Sequence, residues 1–250
     1  MKTSILYTLL FCAASTGFVG WRLYAVRTQA TPHYEILEDP SLSHVQDCEA
    51  MVALAERAVH ADVTANSTLT ILVVGDQSTA NEPWRLARYP IPTTRKAIEG
   101  RNAILRRQQD LLLDVLRKCR TIHRTTISPI FLGIKQALAD LRAQGCDGTS
   151  HCQLFVDSDL EENVETSIFK RAEAIDRRTP IPPRLLDNNG IAVSFCGFTA
   201  TVSHLTDSSG REIRRASARG PERDDRLTAA WKSMFSETEG VAFDPYCPNP

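Results

Sequence analysis

The chain has almost no net charge. Across 250 residues, 29 basic side chains stand against 30 acidic ones, for a formal −1. Without an excess of either sign, no global field draws the protein onto nucleic acid or acidic lipid, and any charged recognition must be local. Zinc-type spacing is also missing. None of the seven cysteines forms a CxxC pair or a Cys/His pattern that would build a structural metal cluster. Internal repeats and long low-complexity tracts are absent, which removes solenoids and disordered arrays. What is present is ordinary globular composition, 42% hydrophobic and 24% charged, in a chain long enough to bury one sizeable core.

One segment departs from that composition. From Ile5 to Trp21 the chain reads ILYTLLFCAASTGFVGW, with no charge between Lys2 and Arg22. As a helix it reaches roughly 25 Å against a hydrocarbon core of ~30 Å, and Tyr7 and Trp21 suit the two interfaces. It reads as a transmembrane anchor or a signal helix. No small-x-small cleavage site follows the apolar run, which favours the anchor, and Phe11 before Cys12 argues against a lipoprotein. Lys2 with the amino terminus balances Arg22 with Arg27, so the orientation stays open. The expected organisation is a membrane segment over 1–27, a polar linker over 28–32 and one domain over 33–250. That domain is expected to be membrane-anchored and extracytoplasmic, or secreted if the segment is cleaved.

Six cysteines remain beyond Cys12. Cys146 and Cys152, in GCDGTSHC, lie across a short polar loop that a disulfide could close in an oxidising compartment, the alternative being two free thiols in a loop. Cys48 and Cys196 lie in apolar patterns and are expected as small core residues.

Along the domain, HYEILED offers a brief strand ending at Asp39. Val45, Cys48, Val52, Ala55 and Val59 then mark one helical face, with Ser43 and Gln46 as a capping box. LTILVVG is a buried strand. Residues 76–94 carry too many breakers for regular structure. A helical pattern over 95–120 follows, whose basic residues lack paired aromatics and form a solvated face, not a nucleic-acid surface. Ile130, Phe131, Ile134, Leu138 and Leu141 predict another helix, stopped at Gly145. The strand QLFVDSD, a helix over Glu161 to Ala174, the strand GIAVSFCGF, a solvated loop over 206–223 and a last helix marked by Leu227, Trp231 and Met234 complete the pattern. Strands alternating with helices imply a doubly wound, mostly parallel sheet covered on both faces.

Ligands on such sheets lie at the carboxyl ends of the strands. Three polar clusters fall there: Asp39-Pro40-Ser41-Leu42-Ser43 after the first strand, Ser128 opening a helix in TTISPI, and Asp159 closing LFVDSD. Singly, each has a plain reading as a turn or an N-cap, with Pro129 at the first helical position. Taken in order, they resemble the metal-ion-dependent adhesion site of von Willebrand factor type A domains, and the order of elements over 32–250 is similar to that Rossmann-like α/β family. The resemblance implies one divalent cation, Mg2+ with Mn2+ or Ca2+ as alternatives. Ser41, Ser43 and Ser128 would ligate it directly, with Thr126 as the alternative to Ser128, while Asp39 and Asp159 act through water. An open coordination position would take an acidic side chain of another protein.

Asp76 and Ser78 in ILVVGDQSTA mimic the first cluster, but Ala80 cannot ligate, and choosing Asp76 leaves too few strands before Ser128. The function expected is a non-enzymatic, metal-dependent protein-binding module held at a membrane through its N-terminal helix. The alternatives are a hydrolase and a metal-free interaction domain. GDQS is faintly like an esterase block and VDSD like an aspartyl phosphatase, yet neither comes with a complete nucleophile and base arrangement.

Overall fold

The computed structural model describes residues 31–42, 44, 47–61, 66–75, 83–93, 100–147, 151–161, 183–197, 200–206, 212–218 and 221–244, with backbone alone for 200–206, 212–218 and 221–224. The apolar segment 1–27, Ser43, Asp76 and the helix expected after Glu161 lie outside them. Among the described residues no helix is long and apolar enough to cross a membrane.

Residues 31–250 form one compact unit. Its strands are β1 (His33–Glu38), β2 (Thr68–Val73), β3 (Trp84–Pro90), β4 (Gln153–Asp157), β5 (Ala192–Cys196), β6 (Ala200–Thr206), β7 (Glu212–Ala218) and β8 (Val241–Phe243). The helices are α1 (Cys48–His60), α2 (Arg101–Cys119), α3 (Ile130–Ala143) and α4 (Pro221–Met234). A six-stranded sheet runs in the order β3-β2-β1-β4-β5-β8. All its pairings are parallel except that of β3, which lies antiparallel on β2. Chain order reverses between β1 and β4, so the carboxyl ends of those two strands flank the crevice where doubly wound sheets place ligands.

Helices cover both faces, as the alternation of apolar residues in the strands requires. Ile36 on β1 packs with Met51 and Leu54 of α1 and Leu111 and Val115 of α2. Leu37, the next residue, faces the other side, into the core cluster that holds Ile130 and Ile134 of α3 and, further along, Trp231 of α4. Each such side chain contributes about 1.5–3 kcal/mol on leaving water. Phe195 of β5 anchors the late elements: it stacks on Phe243 of β8 with centroids 4.7 Å apart and meets the Trp231 ring at 5.9 Å.

Several expectations need correction. β3 lies where breakers predicted irregular chain; WRLARYP alternates, and its Pro90 falls at the end of an edge strand, where a missing N–H does no harm. β7 falls within the solvated loop expected over 206–223 and pairs antiparallel with β6, which precedes that loop, as a separate two-stranded sheet. α1 begins at Cys48, later than the Ser43 capping box implied, and is capped by Asp47, whose carboxylate accepts from the Glu49 amide at 2.9 Å. Cys48 is not a free core residue: it bridges to Cys119, tying the start of α1 to the end of α2. Cys196 is likewise disulfide-bonded. The expected Cys146–Cys152 bridge is present.

Candidate metal centre

The site grows from the ends of β1 and β4. Asp39 directly follows β1, and its amide donates to the Asp157 carbonyl at 3.0 Å, which extends the β1–β4 ladder into the loop. Its carboxylate then organises three segments. Oδ1 accepts from the Ser41 amide at 3.1 Å, an Asx turn that starts the first loop. Oδ2 accepts from the Ser128 hydroxyl and from the Ser158 hydroxyl, each at 2.8 Å. The first and second loops are also joined through the backbone, since the Thr125 amide donates to the Pro40 carbonyl and the Leu42 amide to the Thr125 carbonyl, both at 3.0 Å.

Ser128 is therefore not an N-cap. Pro129 occupies the cap position without a side-chain bond, and the serine hydroxyl points across the sheet to Asp39 instead. In the third loop the Asp159 carboxylate accepts from the Glu161 amide at 2.9 Å, and the Leu160 amide donates to the Ser158 hydroxyl at 2.9 Å. Leu160 has a left-handed backbone, φ 61°, uncommon for a residue with a Cβ. The buried indole of Trp231 holds it there by donating to its carbonyl at 3.2 Å.

Of the sequence-predicted set, Asp39, Ser41, Ser128 and Asp159 are all buried at the carboxyl end of the sheet, and Ser43 lies outside the described residues. A direct Asp39–Ser128 bond joins the first two loops, and the Ser158 hydroxyl brings the third to the same carboxylate. Burial pushes the Asp39 carboxyl up, while His44 and the donors from Ser128, Ser158 and Ser41 draw it part of the way back. The donor set is oxygen throughout, carboxylates and hydroxyls, which fits a hard divalent cation of the magnesium type.

Sequence reasoning missed four groups beside this set: Ser158, Glu38, His44 and Asp157, all buried. His44 Nε2 stands 3.1 Å from Asp157 Oδ1. Burial alone would lower the His44 pKa, but Asp157, Asp39 and Asp159 outweigh it and raise it. A glutamate closing a central parallel strand was the available signal, because such strands are normally apolar throughout.

No family model and no curated protein matches the chain. Among solved structures, proximal thread matrix protein 1 from the mussel byssus overlaps with a TM-score of 0.40 at 10% identity, over 87% of this chain and 44% of that one. The manganese-loaded TRAP protein of Plasmodium vivax overlaps with a TM-score of 0.37 at 13% identity, over 86% of this chain and 69% of that one. The chain thus spans less than half the length of the mussel structure. Overlaps of this size fix neither family nor ligand.

Proposed function

We propose that residues 33–250 form a von Willebrand type A-like module that binds another protein through a divalent cation, without catalysis, and that 1–27 tether it to a membrane. The observation that carries this reading is the Ser128–Asp39 hydrogen bond, which joins loops 89 residues apart at the point where strand order reverses. Ser41 and Ser128, with Ser43, would hold the ion, and Asp39 and Asp159 would supply balancing charge. The cation offers an incoming carboxylate a Lewis-acid position in a low-dielectric crevice. Asp39 orients the hydroxyls, and the Trp231–Leu160 bond fixes the third loop. The Cys48–Cys119 and Cys146–Cys152 bridges support an oxidising, extracytoplasmic setting.

Calorimetric titration of the detergent-solubilised full chain with magnesium and manganese tests the site. Asp39→Ala and Ser128→Ala should both lose ion affinity, and Asp76→Ala should keep it. Wild-type affinity in folded Asp39→Ala and Ser128→Ala overturns the site. A chelator-insensitive set of captured proteins sinks the adhesion role. Sedimentation with membranes after deletion of 1–27 and a high-salt wash refutes the tether.

A further inference from the structure

Next to the all-oxygen cluster lies a second group of ligand-bearing side chains that the proposed function leaves unused. Glu38 closes β1 and is fully buried, and Asp157 stands opposite it as its registered neighbour at the end of β4. His44, also buried, reaches over from the first loop to Asp157. One ligand atom from each of the three lies within 4.8 Å of the other two. Among the described residues the neighbour within reach of both Glu38 and His44 is Asp157: its carboxyl can meet that of Glu38 only by sharing a proton, and its Oδ1 stands 3.1 Å from His44 Nε2, while His44 Nδ1 has no hydrogen-bond partner. The close neighbour of the Glu38 carboxyl is another carboxyl, that of Asp157.

Such a group is costly to bury, because each ion taken from water and incompletely matched loses its hydration without full compensation. The sequence nevertheless places two acids and an imidazole together in the interior, and the backbone makes room for them. Gly197 has φ +73°, and a Cβ there would stand 2.5 Å from Asp157 Oδ1 and 2.9 Å from His44 Cε1, so a side chain would displace the pair. Arg124 fixes the loop that delivers the imidazole, donating to the carbonyls of Ser41 at 3.2 Å and His44 at 2.6 Å. It is also the basic group that acts on Glu38.

We propose that Glu38, His44 and Asp157 form a second cation site, distinct from the all-oxygen centre and selective for a nitrogen-accepting transition ion such as Zn2+ or Mn2+ over Mg2+. Two carboxylates and a neutral imidazole carry a charge of −2, which a divalent ion cancels. Metal–ligand bonds of about 2.1 Å give ligand–ligand edges of roughly 3–4 Å, so a 4.8 Å group closes with small side-chain movements. The imidazole decides the metal, because ring nitrogen suits zinc and its neighbours in the first transition row while magnesium keeps to oxygen. The site does not depend on the adhesion reading, since none of its ligands is one of that centre's.

The test uses the metal-stripped full chain in detergent with excess Mg2+ present, so that the oxygen site is occupied. Wild type should take up one further equivalent of Zn2+. His44→Asn and Glu38→Gln, checked for folding by circular dichroism, should each weaken that binding by at least about 10-fold, since even outer-shell losses reach this size. Glu38→Gln is isosteric and keeps the imidazole, so it carries the test if His44→Asn does not fold. With Mn2+ as the probe under the same conditions, pulsed electron paramagnetic resonance should show imidazole 14N modulation in wild type and lose it in the variants. Ser128→Ala should keep both signals whatever it does to Mg2+ affinity, which separates the two sites. Absence of the extra zinc equivalent, absence of 14N modulation in wild type, or unchanged binding in folded variants overturns the proposal.

Discussion

Glu35 sets a pH dependence that can be worked out from its surroundings. It sits mid-strand on β1 between Thr70 of β2 and Leu154 of β4 and is fully buried. Its Oε1 accepts from the Gln144 amide at 3.1 Å, and its Oε2 has no hydrogen-bond partner. Burial pushes its pKa from the ordinary 4.5 up to about 8, with Asp140 adding to the rise and Gln144, Arg85 and Arg88 opposing it. The folded protein therefore keeps this proton over a range in which the unfolded chain has released it. The resulting stabilisation is complete below pH 4.5 and is lost as pH rises through 8. At about 1.4 kcal/mol per pH unit the window sets a ceiling of about 5 kcal/mol, and partial solvation of the opened site brings the expected loss to a few kcal/mol. Glu35→Gln removes the titration and keeps the acceptor for Gln144. Urea unfolding of wild type and variant at pH 5, 6, 7 and 8 measures the effect. The stability of Glu35→Gln relative to wild type should climb across that series. Parallel curves would mean that Glu35 does not hold its proton in the fold, and the reasoning would fail.

Three other features of the scaffold can be tested by substitution. The Cys48–Cys119 bridge closes a loop of 71 residues in sequence separation, so replacing both cysteines with serine should cost about 4 kcal/mol by the chain-entropy relation, read as a lower urea midpoint. Gly133 in α3 lies where an added Cβ would meet Val74 Cγ1 at 2.5 Å and Leu37 Cδ2 at 3.1 Å; Gly133→Ala should destabilise by about 1–3 kcal/mol, and a thermal melt equal to wild type would show that α3 can ride further from the sheet. Asp47→Ala removes the cap of α1 and should cost about 1 kcal/mol, whereas Asp47→Asn should recover most of it.

The central strands and their covering helices were legible because burial leaves a periodic trace. LTILVVG and QLFVDSD are apolar runs between turns, and α3 repeats apolar residues on one face through Leu141. β3 was not legible, since its alternation of Trp84, Leu86 and Tyr89 with arginines is an edge-strand pattern set among breakers. In the site, Asp39, Ser41, Ser128 and Asp159 could be picked out because each follows a strand or precedes a helix. Asp157 could not, because a carboxylate in a strand reads as an outward-facing position unless its neighbours across the sheet are known, and Glu38, though out of place at the end of a central strand, carries no sign in the sequence of what it faces. Ser158 was passed over for the same reason, as its acceptor is 119 residues away.

The six-stranded sheet ends on β3 at one side and on the three-residue β8 at the other. β3 turns Arg85 and Arg88 outward, and Arg85 lies 3.5 Å from Asp140. A strand arriving from another molecule would have to desolvate those guanidinium groups, and on the far side it would find, among the described residues, three residues of β8 to pair with. Among the described residues, then, neither edge of the sheet invites growth by strand addition in its plane, and two copies of the chain meeting edge to edge gain little from pairing.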